Sequence, residues 1–143
     1  MSHLYKSWQN PDSGQKKFLS STLMYHLSKN INKDLFEAVN ESYIDVTDLN
    51  SEQPDLVIYD KQNKFRPALI IECVSDVDEA DAIRTIEILC SIYHIKEGFI
   101  YNFEREHWKK VGSDSTLIAS NAHSDVLGIN IDRTLADGLL RYD

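Results

Sequence analysis

Glycine and proline are scarce in this 143-residue chain, five and three residues, and the glycines never cluster. A phosphate-cradling loop and a strained nucleophile elbow both need clustered glycines, so neither chemistry is carried here. Cysteine is limited to Cys73 and Cys90, each inside a strongly apolar segment. Their spacing matches no zinc ligand pattern and no histidine pair completes one, so two reduced core thiols are expected. Long apolar runs are missing as well. Ala68-Leu69-Ile70-Ile71 is far too short to cross a bilayer, and Met1-Ser2-His3-Leu4-Tyr5-Lys6 has no apolar stretch of the secretory kind. A cytoplasmic protein without membrane contact is the expectation. Bases are also outnumbered, 15 against 23 acids, for a formal charge of −8. That balance is awkward for a nucleic-acid binder, whose affinity comes from Lys and Arg, unless a basic patch or bound cation reverses the local field.

What is present fits one globular domain over residues 1–143. Hydrophobic content of 42% with 27% charged residues is ordinary for a chain able to bury a continuous core. No repeats, linkers or low-complexity tracts divide it. Asp12 to Ser28 reads as a helix, capped by Asp12 or Ser13, with Phe18, Leu19, Leu23, Tyr25 and Leu27 as its apolar side. Leu35 to Val46 reads as a strand with an irregularity near Asn40. Pro54 to Tyr59 and Pro67 to Val74 are short apolar strands joined by a polar turn, most simply an antiparallel hairpin. Asp78 to Ile95 is a helix with Asp78 and Asp81 as a capping pair. Its polar stripe is Arg84, Glu87, Ser91 and His94, leaving Ile83, Ile86, Leu89, Cys90 and Tyr93 to bury. Gly98 to Phe103 should return parallel to the sheet. Trp108 to Val111 and Gly128 to Ile131 are further strands, and Thr134 to Leu140 a closing helical turn. The fold class is mixed α/β on one sheet, in the order helix, three strands, helix, strand and a short tail.

Strand alternation puts Leu69, Ile71 and Cys73 on one face and Ala68, Ile70, Glu72 and Val74 on the other. Glu72 is thus an ionisable group in an otherwise apolar strand, and burial without a partner costs several kcal/mol or keeps it protonated. A metal ion, a lysine or arginine, or hydrogen-bond donors must compensate it. In a hairpin, Asp55 lies beside it. Two such carboxylates repel unless a cation sits between them, and oxygen ligands of this kind suit Mg²⁺ or Mn²⁺. The plainer reading pairs Glu72 with a nearby base and leaves Asp55 to cap a turn.

Pro54-Asp55, a turn, the strand ending Ile70-Ile71-Glu72-Cys73-Val74, then a helix and a strand, resemble the PD-(D/E)xK nuclease superfamily. The spelling Ile71-Glu72-Cys73-Val74-Ser75 is most similar to its large bacterial family named putative restriction endonucleases. The likeness spans about Gly14 to Leu140 and rests on the order of short motifs. It implies a restriction-endonuclease-like core and a Mg²⁺-dependent DNA endonuclease or related phosphodiesterase. Asp55 and Glu72 would be the catalytic acids and metal ligands, with the carbonyl of Cys73 completing the shell. The chemistry implied is metal-assisted hydrolysis of a phosphodiester.

The sequence departs from that pattern at the lysine. Its motif position is Val74, and the alternative position on the following helix is Ile86, also apolar. Arg84 is the nearest base and reads as solvated surface paired with Glu87. Gln15 is the nearest stand-in for the first-helix acid of some members. Asp76, Asp78, Glu79 and Asp81 suit a helix start, with a second-metal role for Asp76 or Asp78 as the sharper reading. Arg105, Lys109 and Lys110 around Trp108 suit either a nucleic-acid surface or, preferably, an edge strand guarded by lysines. Two further readings stay open: a degenerate nuclease fold serving as a binding or regulatory module, for instance as a homodimer, and an unrelated α/β protein with a salt-bridged Glu72.

Overall fold

The computed structural model describes residues 13–42, 44, 53–112, 114, 117–119 and 121–140. Helix α1 spans Ser13–Asn30 and is followed by β1, Phe36–Asn40. The hairpin strands are β2, Leu56–Asp60, and β3, Arg66–Val74, and a short 3-10 turn over Asp76–Asp78 leads into α2, Glu79–Tyr93. Then come β4, Glu97–Asn102, β5, His107–Val111, and β6, Leu117–Ala119. Two short strands, β7 (His123–Ser124) and β8 (Ile129–Asn130), precede α3, Ile131–Leu140.

β1 to β6 form one mixed sheet in sequence order, and β7 pairs with β8 apart from it. The expected hairpin is there: β2 and β3 run antiparallel with Leu56 opposite Ile71. Its register slips between Ile58 and Tyr59, opposite Pro67, which has no N–H to give the ladder. β4 returns parallel to β3, with Glu72 beside Ile100 and Val74 beside Asn102. The helix that makes this crossover lies close on the sheet at Gly98. A Cβ there would come within 2.3 Å of Ile86 Cγ2, so only glycine admits that approach.

Alternation of apolar side chains along β2 and β3 builds two cores. Leu56, Ile58, Leu69, Ile71 and Cys73 pack with Leu19, Leu23 and Leu27 of α1 and Ile131 and Leu135 of α3. Val57, Ile70 and Val74 pack with Ile86, Leu89 and Cys90 of α2. Helices therefore cover both faces of the sheet. Both cysteines are free and buried.

Several local expectations are corrected. Phe18 and Tyr25 are exposed instead of buried on α1, because the helix turns Ser20, Thr22 and His26 inward with its leucines. β1 ends at Asn40, where Glu41 takes a positive φ of 47°. Tyr43, Asp45, Val46 and Asp12 lie outside the described residues. Asp78 makes no side-chain cap to α2; its carboxylate accepts from the Ser75 hydroxyl at 3.3 Å. β5 is interior, paired on both sides, so its lysines guard no edge.

Candidate functional site

Asp55 occupies a bend just ahead of β2, after the buried Pro54. The antiparallel register brings it alongside Glu72, and backbone donors orient both acids. The Cys73 N–H donates to Asp55 Oδ2 at 2.8 Å, and the Asp55 N–H donates to Glu72 Oε1 at 2.7 Å. Both are charge-assisted bonds, which favour ionised carboxylates. Cys73 takes part through its backbone. Its thiol is fully buried in the core, and burial first, with the Asp55 and Glu72 charges behind it, raises its pKa well above the ordinary thiol range.

The third member is Lys16, in the first turn of α1. Its Nζ lies 3.4 Å from Asp55 Oδ2 and 3.7 Å from Glu72 Oε2. The two carboxylates thus converge on one point, and a cation stands there. Burial alone would lower the Lys16 pKa, but the Glu72 and Asp55 charges outweigh it and the net shift is upward. The ammonium is therefore held charged.

Lys16 escaped the reading of the sequence, yet a signal existed. It stands three, four, seven and eleven residues before Leu19, Ser20, Leu23 and Leu27, all buried, so it continues the inward stripe of α1. A lysine on a buried stripe needs an anion, and the nearest helical acid would have been sought in vain on α1 itself. Gln15, the expected stand-in, is exposed.

The other sequence candidates lie elsewhere. Val74 and Ile86 are buried in the α2-side core. Arg84 is exposed and faces Asp81 at 4.0 Å instead of Glu87, whose carboxylate accepts from the Leu117 N–H. Asp76 is engaged by Arg105, with Nε at 2.6 Å, and by Asn102. The cations around Trp108 are likewise turned inward: Lys109 lies 3.2 Å from Glu79, and Lys110 lies 3.2 Å from Glu97 and 3.0 Å from Asp125. Trp108 itself is buried against Tyr101. Among the described residues, these cations are paired with acids.

The donor set fits a hard divalent ion held lightly. Mg²⁺ characteristically uses one or two carboxylates and keeps waters or substrate oxygens for its remaining positions. Asp55 and Glu72 would supply the carboxylates, and the Cys73 carbonyl is the adjoining backbone oxygen. Among the described residues, no group of three or more His, Cys, Asp or Glu side chains could hold a metal by itself. None of the described helices is long and apolar enough to cross a membrane.

No protein-family model matches the sequence, and no curated protein matches it. Among solved structures, it is similar to the crystal structure of "a putative nuclease belonging to DUF820" from Anabaena variabilis. The match has a TM-score of 0.61 at 12% identity, covering 87% of this chain and 81% of that one. The chain has a nuclease-like α/β fold. At that identity the likeness speaks for the fold and leaves the chemistry to the residues.

Proposed function

We propose that the chain is a Mg²⁺-dependent phosphodiesterase of the PD-(D/E)xK kind, acting on DNA, with its lysine supplied from α1. The observation that carries this reading is the Lys16 ammonium within 4 Å of both Asp55 and Glu72. Asp55 and Glu72 would hold the ion, each aimed by a backbone N–H. When bound, such an ion polarises the phosphate and lowers the pKa of a coordinated water. Lys16, charged at neutral pH, cannot take a proton from that water. Its role is to orient the water and to stabilise negative charge growing on the phosphate oxygens.

A second reading is favoured by the same contact. Lys16 already neutralises the acid pair, so it is also placed to serve as a permanent counter-ion in a degenerate site. Mn²⁺ titration calorimetry with oligonucleotide cleavage separates the two. For the nuclease, wild type binds Mn²⁺ weakly, Asp55→Asn and Glu72→Gln lose binding and cleavage, and Lys16→Gln binds Mn²⁺ at least as well but cleaves about 10–100-fold more slowly. Lys16→Arg should restore part of the rate. If wild type binds no Mn²⁺ and Lys16→Gln does, the degenerate reading stands.

A further inference from the structure

The end of the sheet opposite the acid pair holds a second polar group of side chains. A cavity of about 60 Å³ lies there, between the turn that joins β2 to β3 and the end of α2. Arg66 opens β3, six residues and about 20 Å of strand before Glu72, and lines one side of the cavity. Tyr93, His94 and Lys96, from the end of α2 and the link to β4, line another, with Asp60 and Asn63 between. In a chain of net charge −8, bases are readily claimed by acids: Lys16, Arg105, Lys109 and Lys110 all face carboxylates. Among the described residues, no side-chain hydrogen bond or ion pair engages Arg66, His94 or Lys96.

The backbone around the cavity is held in costly conformations. The Arg66 N–H donates to the Asn63 carbonyl at 3.1 Å across a tight turn whose central residues, Lys64 and Phe65, take φ of 58° and 54°. Such a turn favours Asn-Gly, because a larger side chain crowds the following carbonyl. His94 is left-handed as well, with φ 54°. Strain of this sort persists only where the surroundings fix it, and it gathers at ligand clamps.

We propose that this cavity binds a phosphate-type oxyanion, free or as the terminal group of a mononucleotide. Arg66 and Lys96 would give charge-assisted hydrogen bonds, the guanidinium in a planar fork that matches two phosphate oxygens. Tyr93, Asn63 and His94 each carry a further donor. The volume is about twice the share one water takes in the liquid, so it admits a phosphate group and excludes a nucleoside. Two bases against the one acid, Asp60, leave the wall positive with His94 neutral. His94 and Lys96 would suit the negative end of α2 on their own, but Arg66 belongs to another element, and a shared anion accounts for all three. Binding here needs neither a metal ion nor the acid pair.

The test is titration calorimetry of the full chain at low salt in EDTA, which keeps phosphate from binding through an ion at Asp55 and Glu72. Inorganic phosphate should bind at one site per chain. Arg66→Gln and Lys96→Gln, at exposed residues where folding is retained, should each weaken it about tenfold or more. Asp60→Asn removes the competing charge and should tighten it about 2- to 5-fold. Lys17→Gln with Lys33→Gln removes twice the charge at exposed residues away from the cavity and should have little effect. Deoxythymidine monophosphate identifies the source: affinity no better than that of phosphate assigns the free anion, and tighter binding that Arg66→Gln weakens assigns the nucleotide. No binding of either anion by wild type, an equal loss in the lysine control, or unchanged binding in both Arg66→Gln and Lys96→Gln would each overturn the proposal. Equally good competition by an oligothymidylate without terminal phosphates would overturn it too, since these bases would then be an open surface for a nucleic-acid backbone.

Discussion

Lys16 keeps its proton because two carboxylates outweigh the cost of its burial, and that balance dictates which substitutions the site tolerates. An ammonium at Val74 would meet different surroundings. Val74 is 5% exposed and packs in the core with Ile70, Ile86 and Ile100. Strand alternation correctly places it on the face opposite Cys73, but that face is sealed by α2. Val74→Lys should therefore lose about 3 kcal/mol or more of stability, as an unpaired buried charge does, and should not raise cleavage. Urea denaturation beside a cleavage assay checks both halves. A stable, more active Val74→Lys variant would mean that the site opens toward α2, contrary to the packing.

At the scale of elements, one carboxylate ties β4 and β5 to the start of α2. Glu79 accepts from Asn102 Nδ2 at 2.8 Å, lies 2.8 Å from His107 Nε2, and faces Lys109 at 3.2 Å. Burial alone would raise its pKa, but hydrogen bonds from Asn102, His107 and Lys109 prevail and hold it at about 2, against an ordinary 4.5. A depressed carboxylate pKa contributes stability above the unfolded value and loses it as pH falls through the folded one. Wild type should therefore lose stability progressively from pH 4.5 toward pH 2. Glu79→Gln should be less stable at neutral pH and show a shallower decline over that window. Parallel denaturation curves for the two proteins at all pH values would show that Glu79 is not held ionised by these partners.

For the whole molecule, the C-terminal strands are fastened to the sheet by a buried ion pair. Glu97, 3% exposed at the start of β4, accepts from the Ser124 hydroxyl at 2.6 Å and the Asp125 N–H at 2.7 Å, and faces Lys110 at 3.2 Å. Lys110 also donates to the His123 carbonyl at 2.8 Å. Lys110→Met should cost about 3 kcal/mol, because it leaves the Glu97 charge buried with only neutral donors. Adding Glu97→Gln should recover part of that loss. Strictly additive losses, read by urea denaturation, would show that the two residues are not coupled.

The sequence by itself determined the element order, the β2–β3 hairpin, the parallel return of β4 and the two-faced burial of β3. These follow from local periodicity and from runs such as Leu69-Ile70-Ile71, whose register has few alternatives. It also singled out Glu72, since a carboxylate in an apolar strand signals itself by its cost, and the hairpin put Asp55 beside it. Three things were decided only by tertiary structure. The base that answers the acids comes from α1, some forty residues away from Asp55 in sequence, where motif spacing has no reach. The cluster around Trp108 looked like free cations in sequence, but packing gave Lys109 and Lys110 acidic partners from α2, β4 and the turn after β7. Which aromatics of α1 face outward was likewise set by the sheet: a helix buries the stripe that its neighbour covers, and here that stripe runs through Lys16 and the leucines, leaving Phe18 and Tyr25 outside.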